Sequence, residues 1–451
     1  MGKKEEKVLT KEELLEKSKK PSADALKMHP FFKGKISSTP KCAIRSFDDF
    51  SIWYTPGVAA ACKDIEAHPE RVFENTNKAN MVAVVSDGTR VLGLGDIGPE
   101  AAIPVMEGKA ILFKYLGGVD AWPICLDTKD PEDIIKAVKW ISPCFGGINL
   151  EDLSQPKCFH ILDTLRKESK IPVWHDDQQG TAAVTLAGLI NALKIVGKKM
   201  EKAHITLIGS GAANIATARI LIAAGADAGK MILVDSKQTL HKGRTELQKE
   251  FKEKWHLCEI TNAEQRKGGI AEAMEGADAV VALAKSGPDV IKKEWIKKMA
   301  KDSILFACAN PIPEIYPWEA KEAGVKIMAT GRSDFPNQVN NSLGFPAIFR
   351  GTLDVMATTI TDEMCIAAAY ELAKCAEDKG LREDYILPTM DEPGVYPREA
   401  VAVALKAIEQ KVARINLSKD QLYEKASAII NRAREETQLL MKHGLIPACT
   451  I

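Results

Sequence analysis

Residues 204–235 restrict the fold more tightly than any other stretch of this chain. The apolar run His204-Ile-Thr-Leu-Ile208 leads straight into Gly-Ser-Gly-Ala-Ala-Asn at 209–214, and a helical pattern follows over about 212–224. A second apolar run, Met231-Ile-Leu-Val234, ends at Asp235. Strand, glycine turn, helix, strand and acid in this order form the βαβ unit that holds a dinucleotide. Gly209 permits the tight turn, and Gly211 lets the backbone approach a pyrophosphate at the positive end of a helix. Asp235 stands 24 residues after Gly211, close to the spacing at which an acid reaches the ribose. Asn214 occupies the third position of the turn, where Gly or Ala is commoner.

The alternation extends in both directions. Ala279–Leu283 and Ile304–Cys308 read as further strands downstream, and Met81–Val85, Ile124–Leu126 and Ile171–Trp174 as strands upstream. Strands alternating with helices imply an α/β fold with a largely parallel sheet. We expect a mixed α/β domain over 1–177 and a Rossmann-like NAD(P)-binding domain over 178–342. A helical segment over 343–451 then packs back on both. Thr10 followed by Glu13 has capping-box spacing for an N-terminal helix, and Pro21, Pro30, Pro40 and Pro56 read as breaks.

Composition excludes several classes of function. Lys+Arg and Asp+Glu each number 61 in 451 residues, so net charge is zero. Neither nucleic acid nor an anionic membrane is expected as a partner. No apolar run approaches the roughly 20 residues that span a bilayer. The start, MGKKEEKVLTKEELLEKSKK, is too charged and acid-rich for a signal peptide. Ten scattered cysteines with no CxxC pair read as reduced thiols, hence a cytoplasmic protein.

Two carboxylate pairs stand where α/β proteins gather their sites, at the ends of strands. One is Glu151-Asp152 in Asn149-Leu-Glu-Asp; the other is Asp176-Asp177 in His175-Asp-Asp-Gln-Gln-Gly-Thr181. Hard oxygen ligands of this kind suit Mg²⁺ or Mn²⁺. Each pair is equally readable as acids that stabilise a helix N-terminus. Lys109 is readable as a snorkelling surface lysine, Tyr54 as a packed turn aromatic, and Arg90 as a carboxylate binder or a surface ion pair. His175, beside the acids, reads as a supporting residue rather than a ligand. Asp235 favours NAD, whereas Ser236, Lys237, His241, Lys242 and Arg244 offer donors and cations for a 2′-phosphate.

In order, these segments resemble the malic enzyme family in its compact form. The matching stretches are YTPGVA at 54–59, VSDGTRVLGLGDIG at 85–98, EGKA at 107–110, NLED at 149–152 and HDDQQGTA at 175–182. They continue with GSGAAN at 209–214, ANPIPEI at 309–315 and GRSDFPNQVNNSLGFPAIFRG at 331–351.

The resemblance implies a two-domain dehydrogenase that oxidises L-malate with NAD(P)⁺ and decarboxylates it to pyruvate, using Mg²⁺ or Mn²⁺. It implies Glu151, Asp152 and Asp177 as metal ligands, Lys109 as general base, Asp176 as its orienting acid and Tyr54 as general acid. Arg90, Asn310 and Asn341 match residues that hold malate and the nicotinamide end. Gly209, Ser210, Gly211, Ala212, Ala213 and Asn214 match the pyrophosphate turn. Ser236 and Lys237 are more like the NADP-using members, so NADP is favoured over NAD. A homodimer is implied, with Tyr54 a candidate to serve the partner's site. Lys109 acts as a base only when uncharged, which requires burial to depress its pKa. The alternatives are a metal-free two-domain dehydrogenase, a nucleotide sensor and an oxaloacetate decarboxylase.

Overall fold

The computed structural model describes residues 11–449, so Thr10 of the capping pair lies outside the described residues. The chain opens with α1 (Lys11–Phe32) and α2 (Val58–Ala67). A first sheet follows, made of β1 (Met81–Ser86), β2 (Asp120–Cys125), β3 (Gly147–Leu150) and β4 (Val173–His175). Between its strands run α3 (Pro99–Gly117), α4 (Pro131–Ile141) and α5 (Lys157–Glu168). All four strands are parallel, in the order β2-β1-β3-β4.

Helix α6 (Thr181–Ile195) carries the chain into a second sheet of β5 (Ile205–Ile208), β6 (Met231–Val234), β7 (Ala279–Ala282), β8 (Ile304–Ala307) and β9 (Ile327–Thr330). These are also parallel, ordered β6-β5-β7-β8-β9. Helix α7 (Ala212–Ala223) follows β5, and α8 (Lys252–Ile260) lies between β6 and β7. Strands buried on both faces read as continuous apolar runs, which is why β5 and β7 stood out in the sequence.

In each sheet the strand order reverses beside the first strand, between β1 and β3 and between β5 and β7. Such switch points open crevices beyond the carboxyl ends of the strands. Both carboxylate pairs and the glycine turn stand at those ends.

The remaining chain is helical, as expected: α9 (Phe345–Asp354), α10 (Asp362–Asp378), α11 (Val395–Glu409) and α12 (Lys419–Lys442). Every residue of α9 is buried. Its Phe345 and Phe349 join the core that also contains Val82–Val85 of the first sheet and Ile205 of the second. Arg350, equally buried, pairs with Asp354 at 2.9 Å and donates to Asn80 Oδ1 at 2.6 Å. α9 thus fixes the two sheets against one core.

The structure corrects four local expectations. α1 continues through Pro21 and Pro30; a proline removes one hydrogen bond but its φ of about −65° is itself helical. β2 begins at Asp120, not Ile124, and carries Pro123, which an edge strand tolerates. β3 was not anticipated, because Gly147 and Asn149 are poor strand formers whose place is set by their neighbours. β9 was missed as well, since its four residues carry too little pattern.

Among the described residues, no helix is long and apolar enough to cross a membrane. All ten cysteines are free thiols.

The tightest helix contact lies at Gly351, where an added Cβ would stand 2.1 Å from the Ala400 carbonyl oxygen of α11. Gly351→Ala is expected to lower stability by about 2–3 kcal/mol through forced separation of α9 and α11. A urea midpoint equal to the parent's would contradict that packing.

Candidate active site

The ends of β3 and β4 bring together the residues that the sequence left ambiguous. Glu151 and Asp152 follow β3 directly. Asp176 and Asp177 begin a single π-helical turn, Asp176–Gly180, between β4 and α6. Such turns are rare and concentrate at functional sites. Ligand oxygens of Glu151, Asp152 and Asp177 all lie within 4.8 Å of one another. Lys109, from the middle of α3, reaches in and places Nζ 2.5 Å from Asp176 Oδ2 and 3.0 Å from Glu151 Oε1. It is a buried ion-paired lysine, not a snorkelling one.

Four carboxylates therefore surround one ammonium. Burial alone would push the Lys109 pKa down, but Asp176 and Glu151 outweigh it and hold the amine charged. Burial raises Glu151 well above its ordinary value despite the attraction of Lys109. Burial, with Asp177 adding repulsion, pushes Asp152 up to about 8. An acid raised in this way favours the fold while protonated. Asp152 therefore withdraws stability as pH climbs from its ordinary 3.8 towards 8.

Asp152 Oδ2 is buried with no hydrogen-bond partner, so the cluster has an acceptor to spare, and more acids crowd together than the one ammonium can pair. Both features fit a divalent cation at Glu151, Asp152 and Asp177, and the donor set is all oxygen, as Mg²⁺ and Mn²⁺ require. His175 is fully buried, with Nδ1 3.8 Å from Asp177 Oδ2, and burial lowers its pKa. The ring thus stands behind the acids.

Several residues that complete the site carried no signal of their own. Asn149 Nδ2 donates to Glu151 Oε2 at 2.8 Å, and Trp174 Nε1 donates to Asp176 Oδ1 at 3.2 Å. Asp177 Oδ2 accepts the Asp152 N–H at 2.8 Å, joining the two pairs through backbone. A Cβ on Gly180 would stand 2.0 Å from Asp176 Oδ1, so only glycine leaves room for that carboxylate. The Phe345 ring lies 4.4 Å from Lys109 Nζ and closes its apolar side. Membership in the HDDQQG and GFPAIFRG stretches was the available hint for Gly180 and Phe345, and adjacency to the first for Trp174.

The Arg90 N–H donates to the Asp152 carbonyl at 2.9 Å, so this exposed arginine starts beside the acids. Asn341 borders the cluster, because a Cβ on Gly180 would lie 3.4 Å from the Asn341 Cβ. Asn310 is packed between Gly93, whose Cβ would meet its carbonyl at 2.7 Å, and Gly331, whose Cβ would meet its Nδ2 at 2.9 Å. The crevice is thus shared by loops of both sheets. Tyr54 is not brought to the cluster: it is 71% exposed, and among the described residues its hydroxyl has no hydrogen-bond partner.

The glycine turn has the expected form. Gly209 has φ of 91°, and its Cβ would lie 2.7 Å from the Leu283 carbonyl. Gly211 caps α7 with open space where a Cβ would be, leaving the N–H groups of Ala212 and Ala213 accessible at the helix start. The Ser210 hydroxyl is buried without a partner. Asn214 donates to the carbonyls of Ile208 at 2.9 Å and Gly209 at 2.7 Å, so it stitches the turn instead of loosening it.

Asp235, however, is already engaged. Arg244 grips it at 2.9 and 3.2 Å, and the N–H groups of Lys237 and Gln238 donate to Oδ1 at 2.9 and 3.0 Å. Ser236 and Lys237 stay exposed at the strand end.

Comparison with known proteins agrees with this geometry. The malic enzyme N-terminal domain family matches residues 33–166, and the malic enzyme NAD-binding domain family matches residues 178–411. A bifunctional malic/malolactic enzyme of Bacillus subtilis is 47% identical over 89% of this chain and 97% of its own. An NAD-dependent malic enzyme of Geobacillus stearothermophilus is 51% identical over 84% and 78%. An NADP-dependent malic enzyme of Halomonas elongata is 42% identical over 84% and 92%. The crystal structure of Entamoeba histolytica malic enzyme superposes with a TM-score of 0.96 at 49% identity, covering 99% of this chain and 93% of that one. With both domains, the order of motifs and the acid cluster in agreement, this chain belongs to the malic enzyme family.

Proposed function

We propose that the protein oxidises L-malate and decarboxylates it to pyruvate and carbon dioxide, with reduction of NAD(P)⁺ and dependence on a divalent cation. The observation that carries this reading is the buried Lys109 ion-paired beside the three clustered acids Glu151, Asp152 and Asp177. Bound there, Mg²⁺ or Mn²⁺ supplies Lewis acidity, which lowers the pKa of the malate hydroxyl and drains charge from the substrate as carbon dioxide leaves, while NAD(P)⁺ accepts hydride.

The chain's own residues do the rest. Lys109 takes the hydroxyl proton at Nζ, and for that its charge must first be released. Positive charge held by Glu151, Asp152 and Asp177 would weaken the field of acids that now holds the amine protonated. Asp176, fixed by Trp174 and cradled at Gly180, orients Lys109 rather than depressing its pKa. Arg90 and Asn341 hold malate carboxylate oxygens, and Asn310 holds the nicotinamide end. Tyr54 delivers a proton to C3 of the enolate. Gly209, Ser210, Gly211, Ala212, Ala213 and Asn214 would hold the pyrophosphate.

NADP is the favoured cofactor. Arg244 neutralises Asp235, which removes the charge that would repel a 2′-phosphate, and leaves Ser236 and Lys237 beside the ribose end.

The active unit is a cytoplasmic homodimer in this reading, divided as 1–177, 178–342 and 343–451. Phe47, Phe50, Ile52, Trp53, Tyr54 and Val58 form an exposed apolar run. Covering such a run with a second copy excludes water and carries Tyr54 into the partner's site.

Three outcomes follow. Malate with Mn²⁺ raises absorbance at 340 nm faster with NADP⁺ than with NAD⁺, and a chelator abolishes it; turnover that survives chelation removes the metal from the account. Asp177→Ala, at a side chain one-third exposed, keeps the fold but loses about a thousandfold in kcat, with little rescue by excess Mn²⁺. Mixing Tyr54→Phe chains with Asp177→Ala chains, each inactive alone, restores about a quarter of parent activity, because half the dimers carry one intact site. A mixture as inactive as its parts places Tyr54 within its own chain's site.

A further inference from the structure

Glu314 belongs to the segment after β8, yet no role described above uses it. Its side chain is fully buried. Oε1 accepts the Ala284 N–H at 2.9 Å, and Oε2 accepts the Ala309 N–H at 3.0 Å. Ala284 lies in the loop after β7 and Ala309 in the loop after β8, so one carboxylate ties neighbouring strand ends together.

The two loops are laced again nearby. The Ser286 hydroxyl donates to the Ile312 carbonyl at 3.0 Å and accepts the Ile312 N–H at 3.1 Å. The Ile291 N–H donates to the Glu314 carbonyl at 3.1 Å. Both loops also line the crevice: Leu283 abuts Gly209 of the pyrophosphate turn, and Asn310 abuts Gly93.

The chemistry calls for an ionised acid. Two converging N–H donors need two acceptor oxygens, which a carboxylate provides. A carboxamide or a protonated carboxyl puts a donor where one acceptor should be, and leaves an N–H unpaired. Burial opposes that ionisation and raises Glu314 to about 7 against the pull of its backbone bonds. The titratable group facing it is the Cys308 thiol, itself held well above its ordinary range by burial.

We propose that Glu314 is a positioning residue for the dinucleotide. As a carboxylate it locks the 284–291 and 309–312 loops into the shape that receives the nicotinamide half, and on taking up a proton it releases one of them. This rests on the reading of the crevice as an NAD(P) site. Because its folded value is raised, Glu314 withdraws stability as pH rises from 4.5 towards 7, while the same ionisation orders the loops. Stability and dinucleotide affinity should therefore move in opposite directions at this residue, which a purely structural acid would not produce.

The test is fluorescence titration of the whole protein with NADH, which lacks a 2′-phosphate that would itself titrate near pH 6. The parent, Glu314→Gln and Ser286→Ala are compared between about pH 6 and 8.5. The parent's dissociation constant rises about tenfold as pH falls through 7, the worth of one hydrogen bond to a charged group. Glu314→Gln binds about tenfold more weakly at the alkaline end with no pH dependence, and kcat at saturating dinucleotide stays within about threefold of the parent. Ser286→Ala binds more weakly but keeps the parent's slope. A pH-independent parent, or a Glu314→Gln profile that matches the parent's, overturns the proposal. If Glu314→Gln does not fold, the parent and Ser286→Ala profiles decide it. A parent that binds neither NADH nor NADPH at any pH overturns the dinucleotide reading itself, an outcome distinct from a flat profile.

Discussion

One electrostatic imbalance organises this molecule: Lys109 and four carboxylates share a largely buried space, with only Asp177 partly open to solvent. Ion pairs buried this deeply hold only when geometry and hydrogen bonds match the charges closely. Here Asn149 and Trp174 satisfy two of the acids, yet Asp152 is left with a bare oxygen and a raised pKa. The arrangement withdraws stability at neutral pH, and a fold keeps such an arrangement for what it does rather than for what it adds to stability. A divalent cation held by Glu151, Asp152 and Asp177, as proposed, would reconcile it, and would weaken the field that keeps Lys109 charged.

The fold exists to bring these charges together without exposing them. Two parallel sheets point their carboxyl ends at a common crevice, and the wholly buried α9 holds both to one core. From there Phe345 closes over Lys109, while Gly180 and Gly93 remove the side chains that would keep the loops apart. The strand ends thus fix the acids, and loops of both sheets close around them.

Much of this was legible in the sequence. The α/β class, the glycine turn and the two acid pairs all follow from local pattern, because buried parallel strands leave continuous apolar runs and strand ends collect functional groups. What could not be read was set by distance in the fold. Whether Glu151 meets Asp177 depends on β3 lying beside β4, and β3 itself, with Gly147 and Asn149, has no strand signature. Lys109 and Asp176 are 67 residues apart, and nothing local says that they touch. Asp235 stands at the spacing of a ribose acid, but its pairing with Arg244 is not written in the local pattern. Asn214 stands where Gly or Ala is commoner, and its side chain ties the turn to the strand end, which the pattern alone does not reveal.

The central claim is that the acid cluster is built for a cation. Calorimetric titration of Mn²⁺ into the chelator-stripped protein at pH 7, repeated in buffers of different ionisation enthalpy, tests it most directly. The account predicts one ion per chain and release of protons on binding, because acids held protonated by burial and by one another must ionise to become ligands. Saturable binding without proton release, or no stoichiometric binding even with malate present, would contradict it.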